Sequence, residues 1–407
     1  MNVAKKRTKA NGEGTIYVEK RNNKSYYKGT ITLGYSTDGK LIRKTFCSFD
    51  KKEVVNKMAE CRTQNNAGML PADDKITLQQ WFYNWLFDFR SNDLKVTSFS
   101  KYEGVYRNYI KDSIIGRKKL TDLRPMDLQN YYNGLVNEGK STNVVKTLNK
   151  HLKTCLFDAL KQGMIQRNPC CLITLPKQKE EDTNTSFGES PDNDQILFFT
   201  QDEQKLFIAA VESHRNRALF LLALGGGLRL GELLGLKWKD INFVDGTVNV
   251  VRAISQANKI KKDGTRTWST FEHAPKTKSS IRTIPLPSNV IDALKKHQIQ
   301  QHKEKLKNGE LYTNNELVFC TELGSYIDIR NLTRSYARVL NRAGIEHKKF
   351  HSLRHTYATR LFENNIPPKK VQALMGHSDI ATTMNIYTHV MPEKLVNDVQ
   401  CLNAVLV

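Results

Sequence analysis

Four stretches in the second half of the chain set guanidinium, ammonium, imidazole or phenol groups among apolar residues, where an uncompensated charge is costly. Arg229 lies inside the apolar run 221–236, so it must find an anion or lie at a surface edge, and the glycines before it let backbone or ligand come close. An ion pair with Glu232, three residues on, is the alternative use of that charge. In Phe350-His-Ser-Leu-Arg-His-Thr-Tyr-Ala-Thr-Arg360, His351, Arg354 and His355 fall at i, i+3 and i+4, which puts three nitrogen-rich groups on one helical face. Two histidines so spaced can hold zinc, but there is no Glu between them as in HExxH and no carboxylate or Cys cluster nearby, so no metal is assigned. Polar residues capping a surface helix are the plain alternative. Leu374-Met-Gly-His-Ser-Asp-Ile-Ala-Thr-Thr-Met-Asn-Ile-Tyr-Thr-His389 reads as a helix ending at Gly376 and another capped by Ser378. On the second helix Ile380, Met384 and Tyr387 share a face, so Tyr387 is a core aromatic unless its phenol is used. Pro275-Lys-Thr-Lys-Ser-Ser-Ile-Arg-Thr-Ile-Pro-Leu286 is a strand pair with Lys276 and Lys278 at its turn, or simply an exposed basic hairpin. Gathered in one place, these groups would supply positive charge and a proton without a metal ion, which an anionic ester needs before a nucleophile can attack it.

Such groups need folded elements to position them. The chain has 407 residues, enough for two or three domains of about 150 residues each. Hydrophobic residues make up 39% and charged residues 26%, which excludes wholesale disorder, a fibrous class and a small disulfide-stapled module. Lys and Arg number 63 against 41 Asp and Glu, a formal charge of +22 that calls for a polyanion or an anionic surface. The run 221–236 is broken by glycines, Arg229 and Glu232, so it is no membrane span. The first 14 residues are basic and polar with no apolar segment behind them, so no secretory signal is expected and the protein is placed in the cytoplasm. Seven cysteines (Cys47, Cys61, Cys155, Cys170, Cys171, Cys320 and Cys401) are odd in number, scattered and without CxxC spacing, so they are read as reduced thiols.

The fold expected is multidomain α+β. Residues 1–75 carry 16 Lys and Arg against 8 Asp and Glu, with alternating segments at 14–18, 26–33 and 40–46 that predict a small antiparallel sheet, followed by a helix over 51–65. From Thr77, an N-cap candidate, the period changes to 3.6, with Leu78, Trp81, Phe82 and Trp85 leading; further helices are expected over 98–114, 124–138 and 142–162. Residues 76–175 thus form an all-helical domain and 176–195 a polar linker. Residues 196–394 form a mainly helical domain, with a helical stretch over 200–236, strands over 247–255 and 265–286, and helices resuming at Asn289. Residues 395–407 read as a tail helix.

Taken together and in this order, the four stretches resemble the signature of the tyrosine recombinase (phage integrase) family: an Arg in GLRxGEL, a Lys on a β-hairpin, an HxLRH box, and LGHxxxxTTxxYTH around the nucleophile. The chain has Gly227-Leu-Arg229-Leu-Gly-Glu-Leu233, a hairpin lysine, His351-Ser-Leu-Arg354-His355, and Met375-Gly-His377 followed by Tyr387-Thr-His389. Met375 replaces the usual Leu, and Gly226 the usual Thr or Ser. Spacing allows either Lys276 or Lys278, with Lys276 favoured. Residues 77–175 resemble the family's SAM-like core-binding domain. Residues 12–50 resemble the arm-binding domain of integrases from conjugative transposons and, more distantly, that of phage lambda integrase.

The resemblance implies a catalytic set of Arg229, Lys276, His351, Arg354, His377 and Tyr387 with no cofactor and no metal. The arginines would clamp the non-bridging oxygens of a phosphodiester while Tyr387 attacks, leaving a 3′-phosphotyrosyl link and a free 5′ hydroxyl. Lys276, its charged form disfavoured by the arginines, would protonate the leaving oxygen; His351 would assist at the tyrosine, His377 would bond the phosphate, and His355 would stand behind them. Partners implied are double-stranded DNA at core and arm sites, further copies of the chain up to a tetramer, and an accessory DNA-bending or excision factor, with no membrane. Lys5, Lys6, Arg7, Tyr26, Lys28, Arg43, Lys44 and Lys278 are candidate DNA contacts. The tail, with Leu395, Val396, Val399, Leu402 and Leu406 at helical spacing, would dock on a neighbouring copy. A type IB topoisomerase and a non-catalytic DNA-binding regulator are the rival readings; the arm-like sheet and the intact catalytic set argue against them.

Overall fold

The computed structural model describes residues 14–21, 24–35, 41–66, 76–176, 197–275 and 278–390 of the chain, which divides into two compact units, Met1–Asp182 and Thr183–Val407. In the first unit, β1 (Thr15–Arg21), β2 (Lys24–Tyr35) and β3 (Leu41–Ser48) form an antiparallel sheet in that order, followed by α1 (Lys51–Asn66). Period-2 alternation sends Ile31 against Val54 and Met58 of α1, with Ile16, Leu33 and Phe46 around them. Gly29 lets that helix come close, since a Cβ there would stand 2.3 Å from the Met58 sulfur, which would have to move.

The helical part of this unit begins as its sequence suggests. Thr77 Oγ1 accepts from the backbone N–H of Gln80, whose side chain accepts in turn from the Thr77 N–H, a reciprocal cap on α2 (Leu78–Asn84). A π-helical turn (Trp85–Phe89) follows, then α3 (Val96–Val105), a second π turn (Tyr106–Ile110), α4 (Pro125–Asn137) and α5 (Thr142–Lys161). Leu78, Trp81, Phe82, Trp85, Leu148 and Leu152 are buried, and the indole N–H groups of Trp81 and Trp85 donate to Cys155 O and Asp158 across the bundle. The helix expected over 98–114 stops at Ile110, because Asp112 adopts a left-handed backbone (φ 59°).

The second unit holds α6 (Gln201–Ala210), α7 (Arg217–Gly226), α8 (Leu230–Leu234), β4 (Ile241–Asn242), β5 (Thr247–Val250), β6 (Ala253–Ile260), β7 (Arg266–His273), β8 (Arg282–Pro285), α9 (Ser288–Asn308), α10 (Ile329–Arg342), α11 (Ser352–Glu363), α12 (Pro368–Met375) and α13 (Ile380–Val390). Its strands make two small antiparallel sheets, β4-β5-β8 and the β6–β7 ribbon. The expected stretches 200–236, 247–255 and 265–286 are each divided. The helical one breaks over 211–216 and again at Gly227, whose φ of 60° caps α7 and whose Cβ, if present, would lie 2.3 Å from the Tyr357 ring. The strand stretches break because β5 and β8 pair with each other while β6 and β7 leave as a separate ribbon. Consequently 275–286 is not a strand pair: a 3-10 turn (Lys278–Ser280) leads into β8 alone, which takes its hydrogen bonds from β5. No helix among the described residues is long and apolar enough to cross a membrane.

Candidate active site

The site is assembled in the second unit at the end of α7. After Gly227 the chain re-enters a helix at Arg229, and Glu232, one turn into α8, reaches back: its Oε2 accepts the Arg229 backbone N–H at 3.0 Å and its Oε1 accepts from Arg229 Nη1 at 2.8 Å. The ion pair considered from sequence is therefore real, and it does not exhaust Arg229, whose Nη2 donates to Gly376 O at 3.2 Å while the side chain stays 37% exposed. Glu232 itself is buried and takes a second guanidinium, Arg282 of β8, with Nη2 on Oε2 at 3.0 Å. Burial works to raise the Glu232 carboxyl, but the bonds and charges of Arg282 and Arg229 outweigh it and hold the group below its ordinary value.

Arg354 is only 1% exposed, which rules out the alternative of a surface polar face for this residue. His351 stands at the cap before α11, and Ser352, Leu353 and Arg354 of the first turn are buried. Arg354 Nη1 donates to Gly227 O at 2.6 Å and Nη2 to Met375 O, while Nε is buried without a hydrogen bond among the described residues. Burial first, then the charges of Arg229 and Arg282, push Arg354 down to about 9, so it remains charged at neutral pH. His351 and His355 meet edge to face, ring centroids 4.7 Å apart. Burial and then Arg354 lower His355 to about 4; shielding, His355 and the two arginines lower His351 in the same direction. His377 follows the left-handed Gly376 (φ 64°) that ends α12; its Nδ1 lies 2.9 Å from Thr383 Oγ1, and burial together with Arg354, Arg229 and both histidines pushes it down to about 3. A cleft of about 400 Å³ is lined by Arg229, Glu232, Ser280, Gly376 and Ser378.

Tyr387 lies on α13, which packs on α11 and α12. Its ring meets Phe362 edge to face at 5.2 Å and rests on a cluster that includes Tyr357, Met375 and Ile386; its hydroxyl makes no hydrogen bond among the described residues. Met375 joins the two regions, its carbonyl taking Arg354 and its side chain supporting Tyr387. Two details of this helix differ from expectation. The side chain at its start is Asp379, whose Oδ1 accepts from Ala381 N at 3.0 Å, rather than Ser378. Among its described side chains Thr383 and Ile386 are buried, the Thr383 hydroxyl satisfied by His377, while Ile380 and Met384 are each 37% exposed.

Lys276 lies outside the described residues, as do Lys5, Lys6, Arg7 and the tail 395–407; nothing is described of the Lys278 side chain. In the N-terminal sheet, the register sets Lys28 beside Tyr17 and Arg43 beside Thr32, on the face away from α1 together with Tyr26. Tyr26 is engaged there, edge to face with Phe49 at 4.9 Å and under the Arg21 guanidinium at 4.6 Å. Lys44 pairs with Ile31 and so belongs to the opposite, helix-covered face, over the Phe46 ring. Sequence reasoning passed over Arg282, whose partners lie 50 and 92 residues away along the chain.

Comparison with known proteins places the chain in a family. A family profile described as "Phage integrase family" matches residues 197–394, and one described as "Phage integrase, N-terminal SAM-like domain" matches 77–136. A tyrosine recombinase XerC-like protein of Caldanaerobacter subterraneus subsp. tengcongensis is 44% identical over 96% of this chain and 98% of its own length. The transposase of transposon Tn916 from Enterococcus faecalis is 23% identical over 73% of this chain and 72% of its own. Among solved structures, the Tn1549 transposon integrase in complex with a circular intermediate DNA superposes with a TM-score of 0.62 at 19% identity, covering 80% of this chain and 99% of that one. This family comprises enzymes that cut and rejoin DNA strands. The chain belongs to the phage integrase family of tyrosine recombinases.

Proposed function

We propose that the protein moves a mobile element, of the conjugative-transposon kind, by site-specific strand exchange in which Tyr387 is the nucleophile and Arg229, Arg354, His351, His377 and Lys276 form the rest of the catalytic set. The observation that carries this assignment is the convergence of Arg229, Arg354 and His377 on the Gly227 and Gly376 turns, with Tyr387 packed on the apolar cluster that contains Met375, whose carbonyl accepts from Arg354. A phosphodiester repels nucleophiles and has a poor leaving group. The arginines offset the first difficulty, and more strongly as the five-coordinate transition state gathers negative charge. The phenol proton leaves as the oxygen attacks phosphorus, with neutral His351 suited to receive it; the P–O5′ bond breaks and the 5′ oxygen takes a proton from Lys276. The phosphotyrosyl ester retains the bond energy, so a 5′ hydroxyl of a partner strand reverses the step without ATP.

The depressed imidazoles suit this scheme, since His377 enters as a neutral group able to donate one N–H to a phosphate while Nδ1 is occupied by Thr383. For the rest of the chain we propose an arm-type DNA-binding domain over 1–75, with Lys28 and Arg43 on its open face, a core-binding domain over 76–175, a linker over 176–195, a catalytic domain over 196–394, and a tail that docks on a neighbouring copy. DNA bound at core and arm sites, dimers or tetramers on that DNA, an accessory bending or excision factor and a cytoplasmic location complete the reading. The test is a plasmid carrying two attachment sites, incubated with the protein in EDTA without ATP. Recombinant products are expected; supercoil relaxation with no exchanged product favours a topoisomerase instead.

A further inference from the structure

Glu232 presents a problem of charge. A buried carboxylate that grips Arg229 through both its side chain and its backbone N–H orients that residue well, but one carboxylate on one guanidinium makes a neutral pair, and a neutral pair attracts a phosphate weakly. Arg282 alters the sum. Its side chain is 6% exposed, its Nη2 donates to Glu232 Oε2 at 3.0 Å, and its Nη1 reaches Oε1 at 3.4 Å and Ser280 O at 3.0 Å. Its Nε donates to Leu374 O at 2.7 Å, on the last turn of α12. The turn after that helix closes on the same side chain: a Cβ at Gly376 would stand 3.0 Å from Arg282 Cδ and Nη1. Two guanidinium groups, Arg229 and Arg282, therefore share the Glu232 carboxylate, and of the two only Arg229 lines the cleft.

We infer that Arg282 is a positioning residue for strand transfer: it neutralises Glu232 from behind, so that Glu232 orients Arg229 without quenching its charge, and it ties the Gly376–His377 turn to the same carboxylate. Arg282 need not touch DNA to do this. It acts through Arg229, which faces the cleft, and through the α12 end whose next residue, Gly376, accepts from Arg229 Nη2.

The inference rests on the strand-transfer reading, and its test separates the two. Full-length protein and Arg282→Gln are given nicked duplexes carrying the crossover site that the parent cuts, in two forms. One has an ordinary scissile phosphodiester. The other has a methylphosphonate there, in which a methyl group replaces a non-bridging oxygen and no negative charge is left for Arg229 to meet. Arg282→Gln is expected to cut the phosphodiester about 100-fold more slowly than the parent, in the range of a lost transition-state donor, and the methylphosphonate within about tenfold of it. Arg282→Lys returns the charge without the fork; it is expected to recover about tenfold on the phosphodiester, and it carries the same two-substrate comparison if the Gln variant does not fold. Equal losses on both substrates, or phosphodiester cleavage within about threefold of the parent, overturn the inference. If the parent itself cuts neither substrate, the strand-transfer reading fails first.

Discussion

At the level of single residues, the site is an exercise in holding cations close together without loss of charge. Glu232→Gln removes the carboxylate that Arg229 and Arg282 share. The expected result is a stability loss of about 3–5 kcal/mol, read by denaturant unfolding, because two guanidinium groups are left unpaired in a partly buried place. A variant as stable as the parent contradicts the pairing. The imidazoles make a second prediction with a definite sign. His355 and His377 are depressed to about 4 and about 3, whereas in the unfolded chain each returns to its ordinary value of 6.5. As pH falls from 6.5 toward 4, the unfolded chain takes up protons that the folded one refuses, so stability is lost through that window and is fully present above it. The unfolding midpoint should drop between pH 7 and pH 5, and His355→Gln should flatten that slope; an unchanged slope contradicts the burial assigned to this ring. Arg229, His351, Arg354, His377 and Tyr387 were proposed from the sequence because four motifs stand in the family's order, where any one of them alone has a plain structural reading. Arg282 was not: in a charged, turn-rich stretch it looks like any surface arginine, and only the pairing of β5 with β8 brings it to Glu232.

Among the elements, turns set the site more than helices do. Gly227 and Gly376 are both left-handed, and the carbonyls of these two turns are the acceptors for Arg354 and Arg229 respectively. Gly227→Ala must place a methyl group against the Tyr357 ring in a backbone conformation that alanine disfavours. The expected loss is about 1–3 kcal/mol, seen as a fall of several degrees in the unfolding midpoint, with a fall in DNA cleavage that exceeds any fall in DNA binding. Normal cleavage by this variant contradicts the role given to the turn. Element type was largely readable, since Thr77, the alternation in 26–33 and the apolar spacing of 142–162 are local signals. Breaks were less so. The division of 247–286 between two sheets depends on which strands find each other, and the orientation of α13 depends on the Thr383 to His377 contact; neither is contained in a window of neighbouring residues.

For the molecule as a whole, a formal charge of +22 makes salt the first variable. With 6–10 phosphate contacts, affinity for DNA should fall by about 10³ or more between 50 and 200 mM salt. Deleting residues 1–13 removes Lys5, Lys6, Arg7 and Lys9 and should reduce the slope of log K against log salt by up to about 3 to 4 on DNA that includes arm sites, and leave core-site binding little changed. An equal change on both DNAs contradicts a separate arm contact. The central claim is that the Tyr387 phenol becomes bonded to DNA, and trapping that bond is its most direct test. On a nicked core site, the protein should form a detergent-resistant adduct that peptide mass spectrometry locates at Tyr387. Tyr387→Phe should bind the same DNA with parent affinity and form none. An adduct that survives in Tyr387→Phe, or that maps to another side chain, contradicts the account.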